Sequence, residues 1–335
     1  MSRKIRIATG ARLHLGLLAN QPTSGPSFGG AGLMVKSPGF TVSVQNADCT
    51  TIIATDEACR RRVAAFVAKH ISHFAPDGLP EPFQMSVSES IPAHVGLGSG
   101  TQLGMAIAKA LALWSREEMV DSTILARRVG RGRRSALGIH GFTHGGFLVD
   151  GGKVHDDQIG SMVARADFPE DWRFVLVTPG DSVGISGEAE TNAFVRLDPM
   201  PRSTADRLCQ IVLMDLLPSV LAENFYDFSE ALFVLGRTVG EYFAPVQGGI
   251  YADRRMEQLS KHLRSQGLRG VGQTSWGPTL YVLCRDEATA QTLVNDLQVE
   301  SEWSNCQFRV SAPMNRGGTI SVSAPSTDTT RDTLR

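Results

Sequence analysis

The chain has 335 residues, 42% of them hydrophobic and 20% charged, with a formal net charge of -1. That length and apolar content can bury a large core and point to two domains or one large one. Near-zero charge removes the general electrostatic basis for nucleic-acid binding, and five scattered cysteines lack the close pairs of zinc or redox motifs, so reduced packing thiols are expected.

The opening stretch, MSRKIRIATGARLHLGLL, carries charge and only short apolar pieces. It fits neither a signal peptide nor a spanning helix, so a cytoplasmic protein with no membrane partner is expected. Strands are predicted at IRIAT, FTVSV, TIIAT and FQMSV, with a helix over about residues 57 to 72 between the last two. The Gly-, Pro- and Ser-rich stretch 22–32 reads as a loop or strand turn. Arg12 and His14 follow the first strand and would face a cleft together if strand alternation pairs them. An edge-strand salt bridge with a packed imidazole is the competing reading.

The segment IPAHVGLGSGTQLGMAIAKAL, residues 91–111, sets a glycine turn before a helix whose Leu103, Ile107, Ala110, Leu111 and Trp114 share one face. The first amides of a helix have no intrahelical partner and the helix dipole is positive there, so such an entry is a natural anion cradle. Gly96, Gly98 and Gly100 permit close backbone approach, while Ser99 and Thr101 can cap the helix or donate hydroxyls. A tight helix-capping turn would use the same residues. The string is neither a Walker A motif nor a dinucleotide fingerprint.

A second helix is expected within residues 115–132, ending at its glycines. The block 126–146 then carries Arg127, Arg128, Arg131, Arg133 and Arg134, followed by His140 and His144, without one acid. It reads either as a solvated basic face or as a site for an anion, where guanidinium binds phosphate or carboxylate bidentately. Residues 145–154, GGFLVDGGKV, look like a hairpin, and the polar segment that follows suggests a domain boundary after residue 165. Beyond it come a buried strand at RFVLVTPG and a polar loop with Ser186, Gly187 and Glu188. Long helical stretches near 204–223, 227–243 and 252–266 follow, and then a strand, helix and strand from TLYVLC to CQFRV complete an α+β half. Gln273, Thr274 and Ser275 are further candidates, Trp276 beside them is a stacking or packing aromatic, and Asn315 to Gly318 reads as a hairpin turn or a ligand loop.

Residues 91–111 resemble the phosphate-binding second motif of the GHMP superfamily, which includes galactokinase, homoserine kinase and mevalonate kinase, with Pro92, Gly96, Leu97, Gly98 and Ser99 in the matching places. KIRIATGARLHLGLL is similar to the first motif of that group, and VGQTSWGPTLYVL stands where its third lies. The resemblance implies an α+β fold. Residues 1–165 would form a domain like the second domain of ribosomal protein S5, residues 166–335 a ferredoxin-like α+β domain, and the site would lie between them.

Two departures point away from a kinase. Gly100, Thr101 and Gln102 stand where the kinases continue with a second serine that can help hold magnesium. The stretch SALGIHGFTHGGF lacks the aspartate that many of them use on the acceptor hydroxyl. The combination of ARLHLGLL, HVGLGSGTQ, GRGRRSALGIHGFTHGGFLVDGG and QTSWGPT is instead similar to the β-ribofuranosylaminobenzene 5′-phosphate synthase family.

That resemblance implies a decarboxylating phosphoribosyltransferase of tetrahydromethanopterin biosynthesis. Its substrates would be phosphoribosyl pyrophosphate and 4-aminobenzoate or 4-hydroxybenzoate, with Mg2+ expected from the pyrophosphate and no organic cofactor. Gly96, Gly98, Ser99, Gly100 and Thr101 would cradle pyrophosphate, and Arg12, Arg131, Arg133 and Arg134 would bind phosphate or carboxylate. His14, His140 and His144 are the catalytic candidates. An ATP-dependent small-molecule kinase and a non-catalytic ligand sensor of the same fold are the alternatives, and a homodimer is expected from general frequency.

Overall fold

A computed structural model describes residues 3–75, 78–181, 184, 187–274 and 276–323. The first half runs β1 (Lys4–Leu17), β2 (Gly30–Asn46), β3 (Thr51–Ile53), α1 (Glu57–Phe74), β4 (Phe83–Glu89), α2 (Ser99–Trp114), α3 (Ser122–Arg128), α4 (Leu137–His144), β5 (Phe147–Asp150) and β6 (Met162–Ala166). The second half runs β7 (Arg173–Pro179), α5 (Gly187–Arg196), α6 (Arg202–Gln210), a π-helical turn (Ile211–Leu216), α7 (Leu217–Leu221), α8 (Phe225–Gln247) and α9 (Arg254–Ser265). It ends with β8 (Val271–Gln273), β9 (Leu280–Cys284), α10 (Glu287–Val299), β10 (Cys306–Ser311) and β11 (Thr319–Ser323).

Among the described residues, one sheet has seven strands, ordered β11-β1-β2-β4-β3, with β5 paired to β2 and β6 to β5. The other has four strands ordered β10-β7-β9-β8. With helices after β7 and β9, this is the connectivity of a ferredoxin-like β-α-β-β-α-β unit. The α+β fold expected from the motifs is therefore present.

The first strand is longer than the predicted IRIAT. Ala11, Leu13 and Leu15 continue the buried alternation of Ile5 and Ile7, so pairing with β2 persists to Leu17 across register shifts at Thr9/Ala11 and His14/Gly16. Such irregularities bend a strand and re-aim its side chains. Helix α2 lies on this sheet, burying Leu103, Ile107, Leu111 and Trp114. Buried Gln102 ties three elements: Thr9 Oγ1 donates to its Oε1 at 2.6 Å, and its Nε2 donates to Gly138 O at 2.8 Å.

Three expectations shift. Strand β5 finds its antiparallel partner in β6 rather than across a tight Asp-Gly-Gly turn. The first sheet extends to Ala166 and pairs β11 with β1, so among the described residues it draws strands from both halves of the chain. The helix expected over 204–223 is interrupted by the π turn before Pro218, whose missing N–H and ring break the regular ladder. All five cysteines are free thiols. Among the described residues no helix is long and apolar enough to cross a membrane.

Candidate active site

The turn into α2 carries Gly96 at φ 87° and Gly98 at φ 71°, backbone that a side chain would strain. At Gly96 the space requires glycine as well, and at Gly98 and Gly100 a side chain would crowd an arginine. A Cβ on Gly96 would stand 2.5 Å from Thr274 O, on Gly98 3.0 Å from Arg12 Nε, and on Gly100 3.0 Å from Arg131 Nη2. The glycines therefore let two guanidinium groups lie on the first turn of α2. Fixed positive charge adds there to the positive end of the helix.

Thr274, fully buried, joins this turn to the second sheet: its Oγ1 donates to Gly96 O at 2.8 Å and accepts from His14 N at 3.2 Å. Beside the junction lies a cavity of about 260 Å³. Its lining includes the polar side chains Arg12, His14, Thr101, Arg131, Arg133 and Arg134 and the apolar side chains Leu17, Phe28, Phe194, Phe243 and Trp276. Among the described residues no Asp or Glu lines it. The described wall is thus rich in guanidinium groups.

The arginine loop is held from behind. Asp150, buried at the end of β5, accepts from Ala136 N at 2.6 Å, Ser135 Oγ at 3.2 Å and Gly152 N at 2.9 Å. Burial pushes its carboxyl above the usual range, against those hydrogen bonds. Arg131 stacks over Phe66 at 4.9 Å and Arg134 over Phe194 at 5.1 Å, which limits their rotamers. The remaining arginines of the block serve elsewhere. Arg128 pairs with Glu117 at 2.6 Å, and Arg127 donates to Asp157 O.

His14 is buried, its Nε2 lying where a Cβ on Gly30 would approach to 3.1 Å. Burial and then the charge of Arg12 hold its pKa well below 6.5. Its imidazole is therefore neutral at pH 7 and able to take a hydrogen bond.

His140 and His144, expected as catalytic candidates, are not brought to this cavity. Gly138 faces α2, where a Cβ would lie 3.0 Å from Thr101; two residues on, about 200° around the helix, His140 turns away. Its Nε2 meets Gly160 O at 2.8 Å. His144 is exposed at the end of α4, its pKa lowered by partial burial and then by His140 and Arg165. Of the glycine turn, Thr101 reaches the cavity, whereas Gly98 and Gly100 lie under Arg12 and Arg131 and Gly96 packs on Thr274 and Gly277. Ser99 Oγ accepts from Arg62 Nη2 at 3.1 Å. No sequence motif marks Arg62, because its relation to Ser99 depends on how α1 packs on α2. Asn315 clamps the backbone of Phe168 through both its side-chain atoms, which makes its turn structural. Ser186 and Ser275 lie outside the described residues.

Among the described residues the donor set of this cavity does not fit a magnesium ion held by side chains alone. Among the described residues no three His, Cys, Asp or Glu side chains are grouped to hold a metal. The uncharged oxygen donors on the cavity wall include Thr101, Ser135, Gln247 and Gln273, whereas bound Mg2+ uses carboxylates and substrate phosphates.

Comparison with known proteins places this geometry. Residues 61–146 match the GHMP kinases N terminal domain. The β-ribofuranosylphenol 5′-phosphate synthase of Methanothermobacter thermautotrophicus is 30% identical over 294 residues, 82% of this chain and 87% of the relative. The protein of that name from Archaeoglobus fulgidus is 27% identical over 95% of this chain and 100% of its own. Homoserine kinase from Cytophaga hutchinsonii superposes with a TM-score of 0.65 at 15% identity, covering 96% of this chain and 97% of that one. Mevalonate diphosphate decarboxylase from Staphylococcus aureus does so at 0.66 and 11% identity, covering 97% and 99%. Those two structures share the fold. The chain has the GHMP fold and, by its sequence, belongs to the β-ribofuranosylphenol 5′-phosphate synthase family of enzymes.

Proposed function

We propose that the protein is a decarboxylating phosphoribosyltransferase that joins phosphoribosyl pyrophosphate to a 4-substituted benzoate, releasing CO2 and pyrophosphate, in tetrahydromethanopterin biosynthesis. The observation that carries this reading is a cationic cavity wall with no carboxylate among its described residues. Breaking the bond from ribose C1 to pyrophosphate builds positive charge on the sugar and negative charge on the leaving group. Arg12, Arg131 and the start of α2 are placed to stabilise the latter. The arene attacks C1 through its carboxylate-bearing carbon. The electron pair of the carboxylate bond then returns to the ring as CO2 departs, so no ring proton has to be removed.

An alcohol kinase would instead use a carboxylate to orient or deprotonate its acceptor, and none is among the described residues of this wall. Magnesium would enter on the pyrophosphate oxygens. The phenol in the relatives' name favours 4-hydroxybenzoate over 4-aminobenzoate as the acceptor. The test is release of labelled CO2 from carboxyl-labelled 4-hydroxybenzoate and, in parallel, 4-aminobenzoate, with phosphoribosyl pyrophosphate and Mg2+. Release that requires both substrates is expected. No release from either acid refutes the transferase, and ADP formed from ATP and an alcohol would restore the kinase.

A further inference from the structure

Resting on that reading, we propose that the acceptor's ring lodges in a cage formed by Phe28, Phe194, Phe243 and Trp276, with Arg134 taking its carboxylate, and that this cage sets acceptor specificity. The four rings come from separate parts of the chain: the loop before β2, α5, α8 and the turn after β8. All four line the cavity. Phe243 and Trp276 have centroids 4.3 Å apart at 53°, and Phe194 meets Trp276 at 5.1 Å and 79°. Phe28 meets Phe194 edge-on at 5.9 Å. Two of these pairs are edge-to-face and one is tilted, arrangements in which aromatic rings attract one another.

Arg134 stacks on Phe194 while also lining the cavity. Its guanidinium matches a carboxylate in shape and charge. This placement also orders the substrate. The carbon that must attack ribose C1 is the one bearing the carboxylate, so a carboxylate drawn to Arg134 sets the attacking end of the ring beside that guanidinium. The para substituent then points away from the donor. An aliphatic alcohol would leave the ring faces unfilled, which explains selection for a planar aromatic acid.

Trp276 provides the readout. Titrating the whole protein with 4-hydroxybenzoate, in the presence and absence of phosphoribosyl pyrophosphate, is expected to change tryptophan fluorescence saturably. The signal should vanish in Trp276→Phe, because Trp114, Trp172 and Trp303 do not line the cavity. Phe194→Ala should raise the dissociation constant and KM of the benzoate about tenfold, as expected for one aromatic contact plus its buried area. The KM of the donor should stay within about twofold. Phe243→Leu, which keeps an apolar side chain in the packed wall, should shift the same parameters in the same direction if Phe194→Ala fails to fold. A rise in donor KM with the benzoate KM unchanged, a signal that survives in Trp276→Phe, or no benzoate binding to the wild type would overturn the cage. Benzoate binding sensitive to Phe194 without CO2 release would sink the transferase and leave the cage standing.

Discussion

Replacing Asp150 by Asn tests how the arginine loop is held. In the native protein both carboxylate oxygens accept backbone N–H groups, Oδ2 from Ala136 and Oδ1 from Gly152, and Oδ2 also accepts from Ser135 Oγ. Asparagine keeps one acceptor oxygen and sets an NH2 against the other amide, so one charge-assisted bond worth about 1.5–3 kcal/mol is lost. Relief from burying a charge offsets part of this, since burial raises the pKa of Asp150. The net cost is about 1–2 kcal/mol at pH 7.

The sign with pH is fixed. The native state holds the Asp150 proton to higher pH than the unfolded chain, so its contribution is full below the unfolded pKa of 3.8 and falls as pH rises through the folded value. The stability gap between wild type and Asp150→Asn therefore widens toward low pH. Urea unfolding at pH 7 and pH 5 reads the gap. Because Ser135 and Ala136 anchor the loop bearing Arg131, Arg133 and Arg134, the donor KM should also rise, on the order of tenfold for about 1.4 kcal/mol of lost binding. An Asp150→Asn protein more stable than wild type at pH 7, or one with an unaltered donor KM, would refute the anchoring role.

Three further outcomes follow from local geometry. His70 is buried and its pKa is lowered to about 4 by burial and then Arg128, against Glu117. The unfolded chain therefore binds a proton that the native state refuses, and up to about 3 kcal/mol is lost as pH falls from about 6.5 to about 4. His70→Leu should flatten unfolding free energy across that window, and an unchanged slope in denaturant titrations would rule out His70 as its source. Thr274→Val leaves His14 N and Gly96 O without their buried partner, at about 1–3 kcal/mol each; thermal melts should show a clear loss of Tm, and an unchanged Tm would contradict the joint. Gly100→Ser puts a Cβ about 3.0 Å from Arg131 Nη2 and Cζ at 3.2 Å, so the guanidinium must move. Donor KM should rise about tenfold if one charged contact is weakened, with folding retained, and steady-state kinetics with circular dichroism separate the two.

Local chemistry explains what the sequence made legible. The turn into α2 announced itself because glycines at 96 and 98 take left-handed backbone and a regular apolar face follows. Helices α1 and α10 and strands β7, β9 and β10 likewise carry their periodicity within a few residues. The site is harder, since its members meet only through topology. Phe28, Phe194, Phe243 and Trp276 share no motif and converge when α5 and α8 pack over the end of β1. The pairing of β11 with β1 spans the whole chain. The basic block misled in part because charge density does not say which way a loop faces: Arg131, Arg133 and Arg134 turn to the cavity, while Arg128, His140 and His144 belong to α3 and α4 and face other neighbours.

The same three positions that depart from the kinase pattern explain how such a fold suits a different reaction. Where those kinases resemble one another in a serine able to help hold a metal, Gly100 offers no side chain and the Arg131 guanidinium occupies the space above it. Thr101 keeps a hydroxyl on the cavity wall. Gln102, one residue further around the helix, points into the core and fixes α2 to both Thr9 and Gly138. The substitution thus exchanges a ligand for a mobile cation for a cation borne by the chain. A fixed guanidinium is always charged and needs no reorganisation as negative charge collects on a departing pyrophosphate. In the proposed reaction that is the demand of C1–O cleavage, where charge grows on the leaving group while no alcohol waits to be deprotonated, and it would be met by removing side chains from α2 rather than by adding them.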